Sequence, residues 1–371
     1  MHHKLTIVTD TAIYFKDGKY FAFAPVVNEI ISFEHLFEKI TWIGFNRIDR
    51  TDDLSMKEIN LSKVKIVLLE NIGGKSFLSV LKILMHYPIM FFIVFKNIYN
   101  AQVVHTRAPS HPAFVAIILS FLLRKKIWWN KFAGSWDSKT LPFFYKLQKN
   151  ILVNAKHTKV TINGTWKNQP SHCISFENPC LTSTDIQNGL EVSNAKNFIA
   201  PFRFIFIGRL DNAKGVDTII KSLEEIPLEK IESVTFVGDG SNLEIYKKET
   251  AFLQSKVNFK GFLNQEAIHQ LLKESHFIVL PSKSEGFPKV IAEAACYGVI
   301  PIVSNVGSIP HFITQNNGFV WDINAKVKYS EIIFNAINDA YLQEKSEKLH
   351  FLSQKFTFEN YIFKLNKYII N

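Results

Sequence analysis

Cysteine is scarce in this chain of 371 residues: Cys173, Cys180 and Cys296 are all there are, an odd number with no CxxC pair. That excludes a disulfide framework and a zinc knuckle and fits a reducing compartment. The first residues, Met1 to Asp10, lack the long apolar core and small-residue cleavage site of a secretory signal, and read instead as a strand, Leu5–Thr9. A cytoplasmic protein is expected. Acid is almost missing from one long window: between Asn71 and Phe176 the chain carries 14 Lys/Arg and a single acid, Asp137. Charged residues are 20% of the whole and hydrophobic ones 47%, which excludes a disordered chain.

The net charge of +10 is therefore one-sided. Residues 1–197 hold 24 Lys/Arg against 14 Asp/Glu, while residues 198–371 balance at 19 each. Such a field favours a polyanionic partner. The same basic window holds two apolar stretches, Phe77 to Phe95 and Ala113 to Leu123, interleaved with Lys82, Lys96 and Arg124-Lys125-Lys126. Apolar and basic together suit an anionic membrane surface better than a nucleic-acid groove, so nucleic acid is not the expected partner. The first stretch is long enough to raise a membrane-spanning helix, but Lys82, His86 and Pro88 interrupt it. The expectation is an amphipathic helix, broken near Pro88, lying at the interface. Burial of one face in the core is the competing reading, and both can hold for different faces.

With 371 residues the chain is too long for one ordinary core. Apolar and β-branched runs at Leu5–Thr9, Ile40–Phe45, Lys65–Leu69, Gln102–His105, Lys126–Asn130 and Lys159–Ile162 read as strands separated by helical crossovers. The polar segment 178–197 reads as a connection. The alternation then restarts: strands Phe202–Ile207, Ser233–Val237, Val257–Lys260, Phe277–Leu280 and Ile300–Ser304, with helices at Val216–Leu223, Leu243–Gln254, Gln265–Glu274 and Lys289–Tyr297, and again over 329–349 and 357–370. This pattern predicts parallel α/β sheets. Three parts follow: 1–197, 198–355 and 356–371.

Two segments of the second half carry chemistry. Gly208 ends the strand Phe202–Ile207 and lets the chain turn sharply into the crevice where ligands of parallel sheets bind. Arg209 and Lys214 place two cations beside that turn, as a departing diphosphate needs. The other reading is an ordinary surface loop. The second segment runs Ser284-Glu285-Gly286-Phe287-Pro288-Lys289-Val290-Ile291-Ala292-Glu293-Ala294. Gly286 to Lys289 are expected as a helix's first turn, offering backbone N–H groups to an anion or to sugar oxygens, although Pro288 has none. Glu293 stands eight residues beyond Glu285, among alanines. Two such carboxylates can accept hydroxyl pairs from the sugar and ribose ends of one extended ligand. A solvated glutamate explains either alone, but explains the pair poorly.

The segment resembles the EX7E motif of glycosyltransferase family 4, retaining enzymes of the two-domain GT-B fold. GRLxxxKG at Gly208–Gly215, VGDG at Val237–Gly240, FKGFL at Phe259–Leu263, PIVSNVGSIP at Pro301–Pro310 and Asn317-Gly318-Phe319 follow in the family's order. The resemblance implies two Rossmann-like domains facing a central cleft, with a C-terminal helix that crosses back from about residue 356. It implies that Arg209 and Lys214 hold the donor diphosphate, that Glu285 meets the transferred sugar beside the backbone of Gly286 and Phe287, and that Glu293 takes the ribose. Gly208, Pro288 and Lys289 belong to the same loops, and Gly238 and Phe262 lie near the base. No metal and no cofactor are expected beyond the nucleotide-sugar donor.

The chain also departs from the family. His311 stands where many relatives have a Glu. Thr9-Asp10-Thr11-Ala12 replaces a glycine-rich loop, and Lys131 to Asp137 lies where some relatives place a His, with Asp137 either polar in the site or a turn residue. Arg107, after a probable strand, can meet a phosphate on the acceptor or form a structural salt link. His111 and His157 have no assigned role. The expected activity is sugar transfer to a glycan or lipid-linked acceptor in surface polysaccharide or lipopolysaccharide synthesis, at the inner face of the cytoplasmic membrane. A nucleotide-sugar epimerase of the same fold and a non-catalytic binding protein are the alternatives.

Overall fold

The computed structural model describes residues 3–50, 55–72, 74, 76–134, 136 and 141–371. The chain divides into two units: Met1–Phe176 with Ile362–Asn371, and Glu177–Tyr361. The first thus ends at Phe176 rather than at residue 197, and the chain returns to it at Ile362 rather than 356. The polar segment read as a connection contains a helix, Ser183–Ala195, in the second unit. A reciprocal capping box between Thr182 and Asp185 starts it. It packs through small residues: a Cβ on Gly189 would lie 2.3 Å from the Cys296 carbonyl oxygen. Close approach of this kind leaves no apolar stripe in the sequence.

Among its described residues the first unit holds nine strands: β1 (Lys4–Lys16), β2 (Lys19–Phe23), β3 (Lys39–Asn46), β4 (Met56–Glu58), β5 (Val64–Leu69), β6 (Val103–Ala108), β7 (Ile127–Phe132), β8 (Lys159–Ile162) and β9 (Cys173–Ser175). Strands β5-β3-β1-β6-β7-β8-β9 pair in parallel, and β2 and β4 add an antiparallel flap. Thr9 to Ala12 form no loop. They continue β1 through a shift in register, where the Thr11 N–H donates to Thr9 Oγ1 at 2.9 Å. The strand then turns into β2 at Asp17-Gly18, both at positive φ, the backbone of a tight hairpin.

Helix Phe77–Tyr99 is continuous, not broken at Pro88. Pro88 and Leu84 both sit on the outward face, so the backbone bond that proline removes falls on the exposed side, where a helix bends most easily. Ile83, Met90, Val94 and Ile98 point into the core with Val104, Leu119 and Trp128. The opposite face is apolar and open: Leu78, Met85 and Phe92 are 74%, 69% and 66% exposed. The core reading of this helix holds for its inner face, and the outer face is apolar and exposed.

The second unit has six strands, β10 (Phe202–Ile207), β11 (Ile231–Val237), β12 (Val257–Phe259), β13 (Phe277–Leu280), β14 (Ile300–Ser304) and β15 (Phe319–Trp321). All are parallel, in the order β12-β11-β10-β13-β14-β15. This is the doubly wound Rossmann order, and its direction reverses between β10 and β13. Phenylalanine fills the interior: Phe202, Phe204, Phe206, Phe236 and Phe277 are fully buried, and Phe204 stacks on Phe277 at 5.4 Å.

Candidate active site

In an open parallel sheet the ligand crevice lies beyond the carboxyl ends of the two strands at the reversal point. From β10 and β13 come the two segments singled out in the sequence. The β10 corner is held by its own backbone. Gly208 N–H donates to the Val237 carbonyl at 3.0 Å and Leu210 N–H to that of Asp239 at 2.9 Å. Asp211 fixes the turn, because its Oδ1 accepts the Lys214 N–H at 2.9 Å. Gly215, at φ +79°, passes so close to the Pro281 carbonyl that an added Cβ would lie 2.3 Å from its oxygen. The corners of β10 and β13 are locked together.

That lock brings Lys214 to Glu285. The ammonium donates to Glu285 Oε1 at 2.5 Å, with the side chains 24% and 10% exposed. A third corner closes on the same loop: Ser308 N–H and Oγ both donate to the Gly286 carbonyl, at 2.9 and 3.0 Å. Gly307, at φ +57°, lies against the Glu285 backbone. Arg209 sits at the rim, 72% exposed, paired with Asp211 at 3.1 Å. Gly238 approaches Gly208 so closely that no side chain fits there, and Phe262 is exposed beyond β12.

At the β13 corner the helix starts at Lys289, as its periodicity places it, and not with Gly286 to Lys289 as its first turn. Helix Lys289–Cys296 has Pro288 as its non-helical N-cap, so Gly286, Phe287 and Pro288 form a loop before it. Proline's fixed φ suits a cap residue in extended backbone. Lys289 and Val290, at the first two helical positions, have N–H groups without an intrahelical acceptor. Phe287 is buried against Phe312 and stacked on Phe356 at 4.9 Å, so its side chain anchors the loop and leaves its backbone for a ligand. Glu293 is just over one turn into the helix. It is 8% exposed, and Gln265 Nε2 donates to its Oε1 at 3.5 Å. Burial raises its carboxyl above the ordinary value, against the attraction of His269 and Lys289.

In the first unit a cleft of about 510 Å³ opens at the carboxyl ends of β6 and β7, lined by Thr9, Asp10, Arg107, Pro109, Gly134 and Tyr145. Arg107 Nη1 donates to Glu29 Oε1 at 2.8 Å, and Lys131 Nζ donates to both Glu29 oxygens. Glu29 is 2% exposed, so Arg107 is tied into a buried three-charge group while still lining the cleft. Beside it His105 is pushed down to about 3, first by burial and then by the Arg107 charge. Asp137 lies outside the described residues. His111 accepts or donates to the Tyr87 hydroxyl at 2.9 Å, a packing role. His311 is exposed near the third corner. Among the described residues no three His, Cys, Asp or Glu side chains gather as metal ligands.

Sequence reasoning missed Asp211, although an aspartate three residues before Lys214 is an ordinary turn signal. It also missed Glu29 and Lys131. Glu29 lies 78 residues from Arg107 and 102 from Lys131, a partnership that leaves no local trace.

Two α/β units with these sheet orders define the GT-B class of fold. Over 99% of both chains the structure superposes on the lipopolysaccharide outer core galactosyltransferase WaaB at a TM-score of 0.70 and 18% identity. It also superposes on HepE of Anabaena, solved with UDP and glucose, at 0.67 and 17% over 99% of each. Residues 193–350, the region that carries the strand-end site, match the family described as glycosyl transferases group 1. An uncharacterized glycosyltransferase of Methanocaldococcus jannaschii is 28% identical over 120 residues, 32% of this chain and 30% of that one. The chain thus spans under a third of that relative's length.

Proposed function

We propose that this protein is a retaining glycosyltransferase that moves a sugar from a nucleotide-diphosphate sugar to a glycan or lipid-linked acceptor. The observation that carries the reading is the Lys214–Glu285 pair, held at the reversal point by three interlocked corners. Lys214 and Arg209 hold the diphosphate, and their charge offsets what builds on it as the anomeric C–O bond breaks. Glu285, with the Gly286 and Phe287 backbone, holds the sugar, and Glu293 accepts the ribose hydroxyls. Gly238 and Phe262 flank the base. The acceptor oxygen attacks the anomeric carbon on the leaving-group side, and its proton passes to the departing phosphate. No metal or cofactor takes part.

The acceptor binds the first unit at the Arg107 cleft. The exposed apolar face of helix Phe77–Tyr99, bordered by Lys82 and Lys96, rests on the inner face of the cytoplasmic membrane. The WaaB likeness supports lipopolysaccharide or another surface polysaccharide as the pathway. The test is a panel of nucleotide sugars incubated with the protein and a membrane lipid extract. Nucleoside diphosphate is expected only when donor and extract are both present. Epimerised donor without acceptor, or donor bound but never turned over, would replace this reading with one of its alternatives.

A further inference from the structure

A second groove of the first unit lies away from the cleft just described, at the amino ends of β7, β8 and β9. It encloses about 760 Å³ and is lined by Lys126, Lys159, Lys364, Lys367 and His157. No aspartate or glutamate side chain is among its lining residues. Like charges gathered on low-dielectric walls repel, and they focus a field that an anion relieves. Lys126 is fixed in place: its ammonium donates to the carbonyls of Tyr99 and Ala101 at 2.8 and 2.6 Å. Those dipoles take two of its three hydrogens and leave the third for a ligand. Partial burial lowers its pKa, the mark of an ammonium short of water. Lys364 and Lys367 project from one face of the C-terminal helix, with Lys367 5.1 Å from the Tyr368 ring.

The groove's surroundings indicate the ligand. Lys126 clasps the end of helix Phe77–Tyr99, whose outer face is apolar and open. His157 bonds Ser120 at 3.0 Å and packs on Phe121, in helix His111–Leu122, which exposes Ile118, Phe121 and Leu122. A basic groove bordered by two apolar surfaces matches an amphiphile with a phosphate head. We propose that this groove is a phosphate-binding site for the headgroup of an anionic membrane lipid, separate from the sites of donor and acceptor. The lipid source rests on the bilayer reading above; the phosphate chemistry does not.

Lysine acetylation mapped by mass spectrometry tests it without any turnover, so failure here is distinct from failure of the transferase reading. The probes are inorganic pyrophosphate, phosphatidylcholine vesicles and vesicles that also contain phosphatidylglycerol. The phosphatidylglycerol vesicles are expected to slow acetylation of Lys126, Lys159 and Lys367 while Lys16 and Lys248 react unchanged. The double variant Lys159→Gln, Lys367→Gln should bind those vesicles about thirtyfold more weakly, with its melting temperature retained. Protection by pyrophosphate but by neither vesicle keeps the phosphate site and overturns the lipid. Equal protection by phosphatidylcholine alone, or unchanged acetylation in every arm, overturns the site.

Discussion

Gly307→Ala tests the convergence of corners most directly. At φ +57° an alanine costs about 1–2 kcal/mol in backbone strain wherever it is placed. Its Cβ would also lie 2.0 Å from the Glu285 carbonyl oxygen and 2.6 Å from that of Gly286. Ordinary contact begins at 3.4 Å, so the loop carrying Glu285 must retreat by about 1.4 Å. A misplacement near 1 Å costs about a hundredfold in rate, roughly 2.7 kcal/mol. Gly18→Ala is the matched control: φ is +79°, and nothing lies within 4 Å of the added Cβ. Both variants should melt a few degrees lower. Only Gly307→Ala should lose kcat/KM about a hundredfold with the donor found by the nucleotide-sugar panel. A folded Gly307→Ala with wild-type kcat/KM would falsify the role given to the Glu285 loop.

Lys214→Ala should lower kcat by at least about tenfold, or 1.4 kcal/mol, because the departing diphosphate loses a cation; unchanged turnover removes Lys214 from the chemistry. Glu293→Gln bears on both binding and stability. Its folded carboxyl holds a proton more tightly than the unfolded one, so wild-type stability falls as pH climbs from about 4.5 through the raised folded value. The variant should therefore gain in melting temperature relative to wild type between pH 4 and pH 8, while its donor dissociation constant rises; a gap that does not change with pH contradicts the assignment. Met85→Glu with Phe92→Glu should abolish vesicle sedimentation and leave the melting temperature in place, since both side chains are mostly exposed. Sedimentation equal to wild type would take this helix off the membrane.

Legibility differed between the two halves for a physical reason. In the second unit each strand is a short apolar run ended by a glycine or polar turn. Phe202–Ile207, Gln265–Glu274 and Ile300–Ser304 therefore stand in the structure where the pattern places them. Local periodicity suffices when an element's burial repeats along its own sequence. It failed for Ser183–Ala195, whose contacts run through Gly189 and Ser193, and for β4, whose partner β2 lies far back along the chain. Periodicity placed the start of helix Lys289–Cys296 correctly, but the reading of Gly286 to Lys289 as its first turn failed, because a proline suits either a cap or a first turn.

The sequence by itself determined the alternation of strand and helix, the one-sided charge, and the identity of the residues at the strand-end corners. Periodicity, composition and turn chemistry are properties of neighbours in the chain. Tertiary structure alone decided that Lys214 grips Glu285, that Arg107 is bound to a buried Glu29, and which face of helix Phe77–Tyr99 stays open. Those facts depend on strand order and on contacts between residues separated by tens to a hundred positions. A single sequence carries no record of such distances until the sheets are assembled.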